Sequence, residues 1–163
     1  VLSLPQPITE ERKYIVKVNG GNIPNTVNSE IWQTYLVSEP GSEVRLRRRM
    51  WEKGKFINVH TTKRRVNENE EIETERQVSN ALSESLLTQA DPYRHTIHKR
   101  RTTFIYEGQY FELDEYLDRL QGLVILETKG MAEGETVKLP GNVEIVKDIT
   151  GDKNYYNYNL SLR

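Results

Sequence analysis

The stretch from Glu43 to Lys63, EVRLRRRMWEKGKFINVHTTK, limits the fold more than any other part of this chain. It reads as a strand, a turn at Lys53-Gly54 and a returning strand. Successive side chains of a strand point to opposite faces, so Arg45, Arg47 and Arg49 share one side while Val44, Leu46 and Met50 share the other. If the apolar side packs, the guanidinium side must look into water, a groove or a cavity, and forked donors in such a place suit phosphate oxygens. The competing reading is an open sheet with a solvated charged face, since charge on strands also guards edges against aggregation.

At 163 residues and 36% hydrophobic content, the chain is long enough to bury one core, and a single domain over 1–163 is expected. Lys plus Arg number 23 and Asp plus Glu 24, for a net charge of -1, so duplex nucleic acid is not expected as a partner and any anion site must come from local clustering. Cysteine is absent, which excludes disulfides and thiolate chemistry and fits a reducing compartment, with the cytosol as default. No apolar run is long enough to cross a bilayer and no signal pattern opens the chain. A first residue of Val suggests a piece of a longer protein.

Pro5 and Pro7 mark residues 1–9 as a lead-in that fits poorly in a central sheet. A strand over residues 10–18 then places Glu11, Lys13 and Ile15 on one face and Arg12, Tyr14 and Val16 on the other. Further strands are expected at 31–37, 43–52, 55–63, 71–77, 95–106, 110–114, 123–129 and, shorter, 143–146. Along them Thr61 and Lys63 share a face, as do Glu71, Glu73 and Glu75, then Lys99 and Arg101, then Glu112 and Asp114, then Glu127 and Lys129. Ser79 reads as the N-cap of a helix over 80–89 whose Leu82, Leu86 and Ala90 form an apolar stripe. Leu117 and Leu120 suggest a helical turn, and the tail from Gly151 another.

Most strands thus carry charge on one face and apolar residues on the other. An ordinary sandwich would leave the charges outside, whereas a ligand-holding barrel can turn them inward under covering helices. The recurrence of both signs, Lys13, Arg45, Arg47, Lys63, Lys99 and Arg101 against Glu11, Glu73, Glu75, Glu112, Asp114 and Glu127, favours the barrel. A lumen of mixed sign could hold a polyphosphate by its cations and a divalent metal by its carboxylates.

In this order the residues resemble the CYTH family, the triphosphate tunnel metalloenzymes. The family's Glu-x-Glu-x-Lys opening is similar to Thr9-Glu10-Glu11-Arg12-Lys13, and its Gln-x-Tyr-Leu and Arg-x-Arg segments to Gln33-Thr34-Tyr35-Leu36 and Arg45-Leu46-Arg47. Thr61-Thr62-Lys63, Glu73-Thr74-Glu75, Lys99-Arg100-Arg101, Glu112-Leu113-Asp114 and Glu127-Thr128-Lys129 resemble its later strands. Asp148-Ile149-Thr150-Gly151-Asp152 with Tyr155-Tyr156-Asn157 resembles its ending. The resemblance implies an α+β, mostly antiparallel fold, an eight-stranded tunnel barrel with a few covering helices. It implies phosphate binding by Lys13, Arg45, Arg47, Lys63, Lys99 and Arg101. It also implies Mg or Mn held by Glu11, Glu73, Glu75, Glu112, Asp114 and Glu127, with Glu75 and Glu127 catalytic.

Thr9 and Lys129 stand where the family has glutamates, and each removes a carboxylate. Lys129 also adds a cation, which disfavours a metal and offers another hand to phosphate. The expected function is therefore a binding and regulatory module for a phosphate-rich anion. The alternative is an Mg- or Mn-dependent triphosphatase acting on nucleoside or inorganic triphosphate. Within the family, the TRPL translocation defect type carries an upstream P-loop domain. It implies GTP or phosphatidic acid as ligand, a role in membrane-protein trafficking, and a cytoplasmic location peripheral to membranes. His60, His95, His98, Trp32, Trp51, Tyr155, Tyr156 and Tyr158 are read as structural. Ser79, Ser83 and Ser85 have no histidine partner for nucleophilic chemistry.

Overall fold

The computed structural model describes residues 4–7 and 11–163. Thr9, and Glu10 at the expected start of the first long strand, lie outside the described residues. The strands are β1 (Leu4–Pro7), β2 (Glu11–Val18), β3 (Val27–Leu36), β4 (Ser42–Glu52), β5 (Lys55–Arg65) and β6 (Glu70–Val78). They continue as β7 (Ile97–Tyr106), β8 (Gln109–Tyr116), β9 (Val124–Lys129) and β10 (Val143–Asp148). The helices are α1 (Asn80–Leu87) and α2 (Asn157–Leu160), with 3₁₀ turns at Asp118–Leu120 and Lys153–Tyr155. The expected mostly antiparallel fold is the one observed, with β1 as an additional strand. Among the described residues no helix is long and apolar enough to cross a membrane.

The chain forms two compact units. Of the described residues, the first holds 4–7, 30–98 and 156–163, and the second 11–29 and 99–155, so β3 and β7 contribute to both. In the first unit the strand order is β1-β6-β5-β4-β3. β1 pairs with β6 alone, an end position that tolerates Pro5 and Pro7, which have no amide hydrogen to give a second neighbour. The turn from β4 to β5 passes through Gly54 at φ 80°, a conformation open to glycine without steric cost. The register sets Arg45 against Thr61, Arg47 against Val59 and Arg49 against Ile57. It then sets Thr61 against Glu75 and Lys63 against Glu73. Opposed residues share a face, so one surface carries these arginines, Lys63, Glu73 and Glu75.

The helix α1 packs on β4 and β5. Asn58 Nδ2 donates to Asn80 Oδ1 at 2.7 Å, and Arg48 Nε to Asn58 Oδ1 at 2.9 Å. These are the residues of opposite parity to Arg45 and Arg47, so α1 covers the far face and leaves the arginine face to other uses. Its cap is as expected, with Ser79 Oγ accepting from Leu82 N at 3.1 Å. Its packing is not: Leu82 is 41% exposed, and Ser83 is the buried side chain, closing on Asn80 O at 2.8 Å. The helix is two turns long and lies flat on the sheet, so the position facing inward is one that a small hydroxyl fits.

In the second unit the order is β7-β8-β9-β2-β10. Tyr14, Val16, Phe104, Phe111, Leu113, Leu126 and Val143 form its buried core, joined by Ile23, Val137 and Leu139. The residues of opposite parity carry the charge, so the core and the charged face lie on opposite sides of the same strands. The β7–β8 hairpin turns through Glu107 at φ 51° and Gly108 at φ 75°, the two positive angles of a type I′ turn matched to strand twist. Arg12, on the core side, donates to Ala132 O at 2.7 Å and Glu135 O at 2.5 Å, binding the loop after β9 to β2.

Candidate functional site

On the arginine face of the first unit, three polar side chains are linked in series. Arg47 Nε donates to Gln33 Oε1 at 3.2 Å, and Gln33 Nε2 donates to Tyr35 Oη at 2.7 Å. Gln33 is fully buried and Tyr35 nearly so. Burial, with Glu43 adding to it, pushes the Tyr35 phenol up to about 12, so it stays a neutral hydroxyl. Gln33 and Tyr35 therefore set the direction of Arg47, a role that their types alone do not announce. The signal in the sequence is their parity: both fall on the arginine side of β3, opposite Arg47 and Arg45.

Arg45 is placed differently. Its Nη1 lies 3.7 Å from Glu43 Oε2, and its Nε is buried with no hydrogen-bond partner among the described residues. A buried charged donor left unpaired is costly, and such a group calls for a ligand, an ion or a water. Lys63 lies opposite Glu73, and Thr61 Oγ1 donates to Glu75 Oε1 at 3.4 Å.

The charged face of the second unit is more tightly knit. Arg101 grips Asp114 by two bonds, Nε to Oδ1 at 2.7 Å and Nη2 to Oδ2 at 2.9 Å, and Lys99 Nζ reaches Oδ2 at 2.7 Å. Lys99 is 1% exposed, Asp114 6% and Arg101 7%. Burial alone would raise the Asp114 carboxyl, but the two cations hold it well below the ordinary carboxylate range. Burial likewise opposes the charge on Arg101, and its bonds to Asp114 reverse that and raise it. Arg101 Nη1 also reaches Glu112 Oε2 at 2.6 Å.

Beside this triad, the register places Glu127 between Glu112 on β8 and Lys13 on β2, and Glu11 opposite Lys129. Lys13 Nζ stands 3.9 Å from Glu127 Oε2 and 4.0 Å from Glu11 Oε2, while Lys129 Nζ is 3.1 Å from Glu11 Oε1. Glu127 is pushed up to about 7 by burial and by the neighbouring Glu11 carboxyl, with which it shares a hydrogen bond. Burial would raise Glu11 too, but the bond from Glu127 and the Lys129 ammonium outweigh it and lower it. Glu127 is thus the more basic of the two carboxyls and Glu11 the more readily ionised.

Every expected phosphate-binding or metal-binding side chain lies on one of these two charged faces. Arg45, Arg47, Lys63, Glu73 and Glu75 are on the first unit; Lys13, Lys99, Arg101, Glu11, Glu112, Asp114 and Glu127 are on the second. Carboxylate oxygens are the donor type that Mg or Mn takes. Yet among the described residues no group of three acidic or imidazole side chains is arranged to hold a metal. Asp114 has both oxygens taken by Lys99 and Arg101, Glu112 is paired through one oxygen with Arg101, and Glu11 lies against Lys129 and Lys13. The residues as they stand do not offer a ready-made metal site.

Of the side chains read as structural, Trp32, His98 and Tyr158 pack on neighbours, while Trp51 and Tyr156 are exposed. Within the first unit Trp32 stacks on His98 at 4.8 Å and meets Phe56 at 5.7 Å, and His98 Nε2 lies 3.1 Å from Glu30 Oε1. Tyr158 meets Tyr35 edge-on at 5.1 Å.

The chain is 41% identical over 64 residues to an inorganic triphosphatase of Acetivibrio thermocellus, a match spanning 39% of this chain and 40% of that protein. Its fold is that of the protein NE1496, at TM-score 0.68 and 24% identity over 95% of this chain and 98% of that one. A second crystal structure of NE1496, described as an inorganic triphosphatase, gives TM-score 0.67 and 23% identity over 100% and 96% of the two chains. No family model matches the chain.

Proposed function

We propose that this chain, which has the fold of the CYTH domain, is a triphosphatase that cleaves inorganic or nucleoside triphosphate. The observation that supports this most directly is Arg45: a buried guanidinium nitrogen without a partner, on a face shared with Arg47 and Lys63, is what a phosphate oxygen would satisfy. The similarity to proteins described as inorganic triphosphatases favours hydrolysis over the binding module that Thr9 and Lys129 suggest from the sequence.

In this reading Arg45, Arg47 and Lys63 of the first unit are phosphate contacts, with Gln33 and Tyr35 as positioning residues behind Arg47. The charged face of the second unit is a second phosphate site in its own right in this reading: Asp114 holds Lys99 and Arg101 in fixed geometry, so their positive charge would meet phosphoryl oxygens with little reorganisation. On the same face Glu127, in its deprotonated form and made more basic by burial and by the Glu11 carboxyl, takes a proton from water as the water oxygen bonds to the terminal phosphorus and the bridging P–O bond breaks. The products are phosphate and, from inorganic tripolyphosphate, diphosphate, or from a nucleoside triphosphate, the nucleoside diphosphate. Glu75 is the corresponding carboxylate on the arginine face.

The binding module is the second reading, and the Lys129–Glu11 ion pair favours it. GTP, phosphatidic acid and trafficking are carried by the sequence resemblance alone. The test is phosphate release from inorganic tripolyphosphate and from GTP, with Mn, Mg or chelator, together with calorimetric binding on the same sample. Release of phosphate is expected; tight binding without release would favour the module. The double variant Arg45→Ala, Arg47→Ala is expected to lose about 100-fold or more in tripolyphosphate affinity, the scale of two charge-assisted bonds, with its circular dichroism unchanged. A folded double variant that binds like the wild type would refute the assignment.

A further inference from the structure

The two tryptophans of the chain are placed differently: Trp32 stacks on His98, whereas Trp51 is 45% exposed. Trp51 lies on β4 beyond Arg45, Arg47 and Arg49. Met50 pairs with Phe56 and Glu52 with Lys55, so Trp51 is the extra residue of a β-bulge, a device that re-aims a side chain. It is turned to the arginine face, where the guanidinium carbon of Arg49 stands 4.4 Å from the centre of its ring. Ile57, opposite Arg49 and therefore on that same face, is 40% exposed. Burial thus falls along one face of β4. It runs from Arg45, whose side chain is 14% exposed and whose Nε is buried, to an open indole with an aliphatic neighbour. In the adjoining turn Glu52 and Lys55 pair with each other at 3.1 Å, so their charges cancel beside the indole and what is offered there is ring surface.

We propose that Trp51 is a stacking platform for the base of a purine nucleoside triphosphate, with Ile57 flanking the ribose while Arg45 and Arg47 hold the phosphates. A face that passes from buried cations to exposed aromatic surface fits a ligand that is anionic at one end and flat at the other. Trp51 lies four residues beyond Arg47, roughly 13 Å at the rise of a strand, which is the span from the outer phosphates of an extended nucleoside triphosphate to its base. Every base has a π face, so stacking on an indole favours the larger purine ring over a pyrimidine without reading its edge. The phosphate end of the ligand rests on the triphosphatase reading; the base end rests on the placement of Trp51.

The test is calorimetric binding of ATP, UTP and inorganic tripolyphosphate to the whole chain in chelator, with phosphate release followed in parallel under Mn or Mg. Trp51→Ala is expected to lower the ratio of ATP to tripolyphosphate affinity about tenfold, the scale of one stacked base, and Trp51→Phe to keep most of it. The wild type should prefer ATP to UTP. In a Trp32→Phe background, where Trp51 is the one indole left, ATP should quench tryptophan fluorescence saturably and far more than tripolyphosphate does. An unchanged ratio in folded Trp51→Ala overturns the proposal. So does an equal loss for both ligands, which would make Trp51 a prop for the arginines, or a wild type that does not bind ATP. Trp51-dependent binding to phosphatidylcholine vesicles with an unchanged ratio would also overturn it and make the indole a membrane contact. If phosphate is released from tripolyphosphate while the ratio stays unchanged, the hydrolysis reading stands and the platform falls. If ATP binds and quenches through Trp51 with no phosphate released, hydrolysis falls and the platform stands.

Discussion

Asp114 shows at the scale of a single residue how burial redirects a side chain. By type and parity it belongs with Glu112 and Glu127 as a metal ligand, and nothing local in the sequence says otherwise. In the fold, both of its oxygens are taken by Lys99 and Arg101, and it serves as the anchor of two buried cations. Removing one member of a buried ion network leaves charge uncompensated, so Asp114→Asn is expected to cost about 3–5 kcal/mol in urea unfolding at neutral pH. The pH dependence has a definite sign. Because the folded carboxyl lies below its unfolded value of about 3.9, its stabilisation is present above that value and disappears as pH falls through the folded one. The stability gap between wild type and Asp114→Asn should therefore stay constant above about pH 5 and narrow progressively as pH falls below it toward the folded value. A gap that stays constant there too would mean that the variant loses packing rather than an ion pair.

Among elements, the strands were legible and the helix only half so. A strand repeats every two residues, and the charged runs of β2, β4, β6, β7, β8 and β9 keep that period, so which side chains share a face follows from counting. For α1 the cap was legible because Ser79 acts on its own next turn, but the buried position was not. Leu82 and Leu86 have helical spacing, yet the face turned to β4 and β5 is set by where those strands lie, and it is Ser83 that is buried. Ser79→Ala is expected to lower stability by about 1 kcal/mol, the usual value of an N-cap, in chemical denaturation. A loss below experimental error would show that tertiary contacts alone hold the helix.

For the whole molecule, ligand binding should appear as stability. A tripolyphosphate concentration of about 100 times Kd is expected to add about 2.7 kcal/mol to unfolding, seen as a rise in melting temperature that Arg45→Ala, Arg47→Ala abolishes. A melting temperature indifferent to tripolyphosphate would place the natural anion elsewhere in chemistry. What the sequence by itself determined is the class of fold and the membership of each charged face, because side-chain alternation is a local property of extended backbone. Only the tertiary structure decided how the charges are distributed among partners: Asp114 and Glu112 to Arg101, Glu11 to Lys129, Arg47 to Gln33, and Arg45 with a buried nitrogen that meets no hydrogen-bond partner among the described residues. Those pairings depend on strand order, register and burial, which join residues far apart in the chain through hydrogen bonds and ion pairs that no local pattern encodes.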